Sequence, residues 1–249
     1  MSLSLAANNV SHAYGGSVAL AGVTAHVPEG AVLALVGESG SGKTTLLRTF
    51  NRLVDPDAGS VFVSGEDVRT LDPVELRRRV GYVPQHGGLL PHWTARRNVA
   101  LVPTLVGMPD AGRAADEALE QAGLDPAEFG GRLPRELSGG QRQRAAIARA
   151  FAARQEAMLL DEPFGALDAI TRAEAYEAFE RVRRELRFTA ILVTHDLAEA
   201  ARLADRVAVM QAGRIEQIGT VTELRRNPAT PYVQSLFARA EAALDALVS

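Results

Sequence analysis

A glycine-rich segment after a short apolar run carries the most specific chemical pattern in the chain. The run Val32–Val36 leads into Gly37–Thr45, which fits G-x-x-x-x-G-K-[ST] and opens a helix. Glycines let the backbone curl until successive N–H groups converge on one anion, and the helix N-terminus adds its positive dipole end. Lys43 supplies a charge for the outer phosphates, and the Thr44 hydroxyl can ligate Mg²⁺. The pattern predicts a nucleotide phosphate loop and disfavours a glycine turn that binds nothing. The residues predicted to contact the nucleotide are Gly37, Glu38, Ser39, Gly40, Ser41, Gly42, Lys43, Thr44 and Thr45.

An acidic pair at the end of a second apolar run supplies what a phosphate loop lacks. Asp161 and Glu162 directly follow Met158–Leu160. The first carboxylate can hold Mg²⁺ through its water shell, and the second can orient or deprotonate a water for in-line attack on the γ-phosphate. We therefore expect a hydrolytic site rather than a structural acidic pair.

Two further polar residues follow predicted strands. Gln85 ends the strand Val80–Pro84, and His195 follows Ala190–Thr194. Ligands of open α/β sheets bind at the carboxyl ends of the strands, so both residues are expected at the edge that carries the phosphate loop. For His195 we favour a γ-phosphate contact over a helix cap or a core position.

A serine-capped helix start and an aromatic residue complete the candidates. Ser138, Gly139, Gly140 and Gln141 form a second helix N-terminus suited to an anion, far from the first in sequence. The residues alone do not explain why one chain has two. Tyr14 can stack on a nucleotide base or pack as an ordinary aromatic residue.

The elements that must position these residues alternate between strands and helices. Leu3–Val27 predicts two or three strands with turns at Asn8–Asn9 and Gly15–Gly16, and 86–153 predicts helices only. The later apolar strands flank a helix predicted over Asp168–Arg187, which indicates a βαβ crossover. Two strands and two helices, the latter split at Asn227–Pro228, are predicted for the remainder.

Composition narrows the classes of partner. The chain has 249 residues, no cysteine and a net charge of −3, so we expect no disulfides, no thiolate metal site and no nucleic-acid partner. The five histidines have no metal-ligand spacing, so any metal should arrive with a nucleotide. The N-terminus is unlike a signal peptide and no apolar run approaches the roughly 20 residues that span a bilayer. We expect a soluble, cytoplasmic chain that reaches a membrane only through another protein.

Together these residues resemble the ordered motif set of an ATP-binding-cassette (ABC) ATPase. The segments that carry the resemblance are Tyr14, Gly37–Thr44, Gln85, Leu137–Gln141, Met158–Glu162, Ala166–Asp168 and His195. The resemblance implies an α/β fold, with a P-loop NTPase RecA-like core, an N-terminal antiparallel β layer and an inserted α-helical subdomain. It further implies one domain over 1–249, in which 1–85 and 154–249 form the β layer and core and 86–153 form the helical subdomain.

The resemblance also implies a head-to-tail homodimer that holds two ATP molecules and Mg²⁺ between its subunits. Each ATP would be bound by the phosphate loop of one copy and by Ser138–Gln141 of the other. The implied single-residue roles are adenine stacking for Tyr14, Mg²⁺ binding for Thr44, Gln85 and Asp161, relay to a membrane partner for Gln85, general base for Glu162, an interface crossing for Asp168 and a γ-phosphate clamp for His195.

Within that family the chain is similar to ATPase subunits of bacterial importers for quaternary-amine osmoprotectants such as glycine betaine, choline or carnitine. The segments Gly81–Thr94, Asn98–Pro103 and Asp161–Arg172 carry this likeness. It implies a transmembrane permease that docks near Gln85–Thr94, with Trp93 in the groove, an extracytoplasmic substrate-binding protein, and a place on the cytoplasmic face of the membrane. The alternatives are an importer of polar amino acids or other small solutes, a non-transport ABC ATPase, and a regulatory module that binds ATP without turnover. The chain ends before the regulatory C-terminal domain pair of many osmoprotectant ATPases, so ionic-strength sensing by that pair is not expected.

Overall fold

Short runs of branched apolar residues form strands in this chain, as their pattern predicts. The computed structural model describes residues 3–85, 87–165 and 167–248, with side chains in the last helix as far as residue 242. The strands are β1 Leu5–Tyr14, β2 Ser17–Val27, β3 Val32–Val36, β4 Ala58–Val63, β5 Glu66–Asp67, β6 Val80–Val83, β7 Ala157–Asp161, β8 Thr189–Val193, β9 Arg206–Gln211 and β10 Arg214–Gly219. The α-helices are α1 Lys43–Thr49, α2 Pro73–Arg79, α3 Ala95–Val99, α4 Leu101–Leu105, α5 Ala111–Gln121, α6 Pro126–Phe129, α7 Gly139–Phe151, α8 Ala169–Leu186, α9 Leu197–Leu203, α10 Val221–Arg226 and α11 Pro231–Val248. Single 3₁₀ turns occupy Val68–Thr70 and Pro134–Glu136.

Contacts within the chain group these elements into two compact units. The first unit contains residues 4–71 and 190–248, and the second contains residues 72–189 with Leu3. His86, where the predicted helical subdomain begins, and Ala166 of the predicted motif set lie outside the described residues. The single-domain division with an insertion over 86–153 stays a prediction.

The first unit contains an antiparallel and a largely parallel group of strands. The antiparallel sheet has the order β2-β1-β4-β5. In the other group β3 pairs in parallel with β8 and β9, while β10 pairs antiparallel with β9. Every residue of Val32–Val36 is buried, which is expected of a parallel strand covered on both faces.

The turn predicted at Asn8–Asn9 is wrong. Strand β1 runs through these residues as a bulge, with a register shift between Ala7 and Val10 and a left-handed Asn9 at φ 51°. Asparagine tolerates this conformation, so its turn signal marks an irregularity inside a strand. The chain reverses once, at Gly15–Gly16, as predicted.

The last helix of the first unit packs on the central strands. Val233 and Phe237 of α11 are buried in one cluster with Val36 of β3 and Val209 of β9. This burial fixes the helix beside the strand that leads into the phosphate loop.

The second unit holds the helices predicted after residue 86. Small side chains let α3, α5 and α7 pack closely, and the shared core consists largely of alanines, with Val99, Leu119, Leu124 and Leu137. Strands β6 and β7 pair in parallel. Helix α8 begins after its cap Asp168 and ends at Arg187 in the left-handed conformation, as the sequence predicts for 168–187. Within the described ranges, no helix combines the length and apolarity needed to cross a bilayer.

Candidate functional site

The phosphate loop of the first unit is fixed by close backbone approaches. Gly37 has φ 149°, and a Cβ there would lie 2.1 Å from the carbonyl oxygen of Met210. Gly42 has φ 100°, and its Cβ would lie 2.4 Å from the carbonyl oxygen of Ala19. Neither site has room for a side chain, so the two glycines are required by the loop's shape.

Lys43 holds the loop curled over the start of α1. Its side chain is 6% exposed, and Nζ donates to the carbonyl oxygens of Gly37 and Glu38, each at 2.8 Å, and to Ser41 Oγ at 3.3 Å. The cationic group is thereby placed inside the loop, at the N-terminus of α1. A cradle of this form fits an anion, and Thr44 lies half-buried in the first turn of α1.

His195 lies at the same strand edge as this loop. Leu35 of β3 pairs with Val193 of β8, and the N–H of Thr194 donates to the carbonyl of Leu35 at 3.1 Å. The exposed His195 and the start of the phosphate loop therefore follow adjacent parallel strands. Asp196 accepts from two N–H groups of α9, so the helix cap is Asp196 and not His195.

Tyr14 lies in the antiparallel sheet of the first unit. It ends β1 with half of its surface exposed, and the ring of His12 meets it edge-on at 4.6 Å between centroids. Half exposure fits both a stacking role and ordinary packing for Tyr14.

Glu162 and Gln85 are brought together in the second unit. Gln85 Nε2 donates to Glu162 Oε2 at 3.0 Å, although 77 positions separate them. Asp161 is buried at the end of β7, while Glu162 has a left-handed backbone with φ 47°. A left-handed glutamate costs free energy and is common where function requires the geometry.

The second predicted anion-binding helix start, Ser138–Gln141, is closed by a reciprocal pair of side-chain hydrogen bonds. Ser138 Oγ accepts from the N–H of Gln141 at 3.1 Å, and Gln141 Oε1 accepts from the N–H of Ser138 at 2.9 Å. A Cβ on Gly140 would lie 2.5 Å from Thr171 Cγ2, so the first turn of α7 approaches the first turn of α8 closely. Gly139 and Ser138 remain exposed.

Asp168 is held at the neighbouring helix start. Its Oδ1 accepts from the N–H groups of Ile170 and Thr171, and its Oδ2 accepts from Thr171 Oγ1 at 2.7 Å. The Thr171 hydroxyl and these N–H groups lower the pKa of the exposed Asp168 carboxyl. The resulting stabilisation is present above the unfolded pKa and is lost as the pH falls through the lowered folded pKa.

Sequence analysis missed two side chains that organise the loop after Gln85. Arg149 of α7 donates to the carbonyls of Gly87 and Gly88 at 2.9 and 2.7 Å, and burial lowers the pKa of its guanidinium. Asn98 is fully buried and its amide binds the backbone of Leu90, Trp93 and Thr94. Arg149 and Asn98 each lie on an otherwise apolar helix face, and this was the sequence signal that could have identified them.

A cavity of about 650 Å³ lies between α9, α10 and α11 in the first unit. Its wall includes His195, with Leu197, Leu236 and Phe237 supplying apolar surface. It shares only His195 with the predicted nucleotide residues.

The predicted site residues are divided between the units. Tyr14, the phosphate loop and His195 belong to the first; Gln85, Ser138–Gln141, Asp161, Glu162 and Asp168 belong to the second. The structure joins Gln85 to Glu162 and brings the helix start at Gly140 against that at Asp168. The roles of these residues in binding and turnover stay predictions.

A family profile and curated relatives both place this chain among ABC transporter proteins. A family profile described as ABC transporter matches residues 20–165. The choline transport ATP-binding protein OpuBA of Bacillus subtilis is 44% identical over 94% of this chain and 62% of its own length. The glycine betaine uptake system ATP-binding protein YehX of Escherichia coli is 41% identical over 94% of this chain and 76% of its own length. A sulfate/thiosulfate import ATP-binding protein CysA of Mycobacterium bovis is 47% identical over 89% of this chain and 63% of its own length. The chain spans about three fifths of the length of several such relatives.

A solved structure confirms the predicted fold class. The dimeric structure of a post-hydrolysis state of the ATP-binding cassette MJ0796 bound to ADP and Pi superimposes with a TM-score of 0.79 at 31% identity. The match covers 87% of this chain and 98% of that one. The antiparallel and parallel strand groups are those of a P-loop NTPase.

Gly140 provides a test of the geometry around Ser138. Alanine normally stabilises a helix relative to glycine by about 1 kcal/mol, but here we expect Gly140→Ala to destabilise by roughly 1–3 kcal/mol. The cause is the clash with Thr171 Cγ2, whose side chain is anchored to Asp168. Urea unfolding of the variant measures the change.

The matched second change is Thr171→Ser, which removes Cγ2 and keeps the hydroxyl. The double variant should regain most of the stability lost in Gly140→Ala. A single variant as stable as the wild type, or a double variant no better than Gly140→Ala, would show that the two turns do not press on each other.

Proposed function

Because the chain belongs to the ABC transporter family, we propose that it is the ATP-hydrolysing subunit of a bacterial importer that moves a small solute through a separate permease. The observation that carries the hydrolytic part is the contact between Gln85 and Glu162 at a strained strand end. A module that only retained ATP would not need a carboxylate held in this way. Family relatives named as transport ATP-binding proteins support the transport part.

ATP and Mg²⁺ are the proposed ligands. The loop around Lys43 would take the β- and γ-phosphates, and the half-exposed Tyr14 would stack on adenine. Mg²⁺ would be held by Thr44, Gln85 and Asp161. Their hydroxyl, amide and carboxylate oxygens are donors that suit this hard cation. When bound, the metal neutralises charge on the phosphates.

Glu162 and His195 are the proposed residues for turnover. Glu162 would accept a proton from the attacking water, with its carboxylate oriented by the amide of Gln85. His195 would contact the γ-phosphate from the edge it shares with the phosphate loop.

A head-to-tail homodimer is the proposed assembly. The capped turn at Ser138 leaves its serine and Gly139 exposed, as a surface that meets another copy requires. A 13-residue helix follows, and its N-terminus suits a phosphate. The related MJ0796 cassette is described as dimeric with ADP and Pi. In this assembly Asp168, at the adjacent helix start, would cross to the partner.

The loop from Gln85 to Thr94 is the proposed permease contact. Arg149 and Asn98 bind its backbone between Gly87 and Thr94, so this part of the loop, which contains no helix or strand, is held in one shape. Trp93 is half-buried under the guanidinium of Arg97, which lies 4.2 Å from the ring centroid, and is placed to anchor a short helix. Docking here would put the chain on the cytoplasmic face of the membrane, in a complex with an extracytoplasmic substrate-binding protein.

The proposed solute is a quaternary-amine osmoprotectant. Relatives named for choline and for glycine betaine are 44% and 41% identical to this chain. A second candidate is another small solute, because the relative named for sulfate and thiosulfate is 47% identical. A polar amino acid remains the other alternative within transport.

The solute is tested with the native complex. The chain should be purified with its permease, reconstituted in vesicles with the binding protein, and assayed for ATP hydrolysis with each solute in turn. Glycine betaine, choline or carnitine should stimulate hydrolysis. Stimulation by sulfate or a polar amino acid alone would contradict the osmoprotectant assignment while leaving the ATPase assignment intact.

Glu162→Gln tests the general base. The amide preserves size but cannot accept the proton, so turnover should fall by about 10²-fold or more while ATP binding persists. Phosphate release and equilibrium ATP binding are the two measurements. Glu177→Gln, at an exposed position on α8 of the same unit, is the control and should hydrolyse ATP normally. Near-normal turnover in Glu162→Gln would remove this residue from the base role.

A further inference from the structure

The C-terminal helix contacts Glu38 of the phosphate loop. The N–H of Glu38 donates to Tyr232 Oη at 3.2 Å. Arg239 donates to Glu38 Oε1 from both terminal nitrogens, at 3.2 and 3.3 Å. Tyr232 and Arg239 lie about two turns apart on α11, so they share one face of the helix. Two side chains from one helix therefore bind both the backbone and the carboxylate of Glu38.

One peptide group connects this contact to Lys43. The peptide between Gly37 and Glu38 presents its N–H to Tyr232 and its carbonyl to Lys43 Nζ, the latter at 2.8 Å. A peptide group is planar, so its two ends cannot rotate independently. The position of the Tyr232 hydroxyl therefore constrains the direction of the carbonyl that holds the lysine ammonium.

Buried residues of α11 fix the helix that carries Tyr232 and Arg239. Val233, next to Tyr232, and Phe237, two residues before Arg239, are buried against Val36 and Val209. Val36 immediately precedes the loop. The helix is thus anchored to the strand from which the phosphate loop begins, and its polar contacts reach the loop's second residue.

We propose that Tyr232 and Arg239 are positioning residues for Lys43, and that the placement of α11 sets the loop's affinity for a triphosphate. Tyr232 acts through the Gly37–Glu38 peptide and Arg239 acts through the Glu38 carboxylate, and neither residue touches the nucleotide. The inference rests on the proposed function, because it requires that the loop binds ATP phosphates. It extends that function by making nucleotide affinity depend on the C-terminal helix.

The test compares ATP with inorganic triphosphate, each with Mg²⁺, in titration calorimetry. Tyr232→Phe removes the hydroxyl and leaves the ring, and Arg239→Gln removes the charge. Loss of one hydrogen bond corresponds to roughly a 2- to 10-fold change in Kd. We expect each variant to weaken both ligands by a similar factor, because the effect acts on the phosphates and not on the base. Arg239→Gln combined with Glu38→Gln should weaken binding no more than either change alone.

The matched control is Arg225→Gln. Arg225 pairs with Glu241 of α11 at 2.6 Å, in an exposed ion pair that does not include the phosphate loop. Its loss should leave both Kd values unchanged, and thermal unfolding of each variant should show that α11 remains packed.

Two results would overturn the inference. Wild-type Kd values in both Tyr232→Phe and Arg239→Gln would show that the contact does not influence the loop. An equal loss in Arg225→Gln would mean that general docking of α11 matters and the Glu38 contact does not. Failure of the wild type to bind either ligand would instead refute the proposed function. Lys43→Ala should abolish binding of both ligands, which verifies that the measured binding occurs at the phosphate loop.

Discussion

A buried ammonium group is tolerated only where oxygen acceptors surround it, and Lys43 imposes that condition on the first unit. Its acceptors include the carbonyls of Gly37 and Glu38, so the loop must double back over the start of α1. That path brings the loop against Met210 of β9 and Ala19 of β2, where no side chain fits. The glycines, the strand that precedes them and the helix that follows together place one cation inside the loop, where we propose that phosphates bind.

In the second unit, oxygen acceptors likewise satisfy buried or unpaired donors, here at the starts of two helices. Ser138 and Asp168 each satisfy N–H groups that the first turn of a helix leaves unpaired. Gly140 lets the two starts approach, and Gln85 holds Glu162 at the end of a strand. The proposed dimer gives a reason for the second anion-binding helix start at Ser138–Gln141, which sequence analysis of one chain did not explain. Each nucleotide would then be enclosed by groups that no single copy supplies.

The sequence pattern predicted those parts of the chain that are determined by interactions between residues close in sequence. The phosphate loop, the buried strand β3, the capped helix α8 and the reversal at Gly15–Gly16 follow from glycine, apolar and capping residues close in sequence. The bulge at Asn9 was predicted as a turn because asparagine favours the left-handed region in both settings. Arg149, Tyr232 and Arg239 were missed because their partners are distant in sequence; for Arg239 and Glu38 the separation is 201 positions, beyond the range of any spacing rule. Asn98 was missed although its partners lie within eight positions, because its burial depends on packing.

The central claim is that two copies of the chain complete each ATP site, and a mixing experiment tests it most directly. Lys43→Ala removes the phosphate cation from one copy, and Ser138→Arg blocks the turn that would face the other copy's nucleotide; each variant alone should lack ATPase activity. In a mixed dimer, the intact loop of the Ser138→Arg copy meets the intact turn of the Lys43→Ala copy, which restores one complete site. The account predicts that mixing the two inactive variants restores ATP hydrolysis. A mixture as inactive as its components, although mixed dimers form, would contradict it.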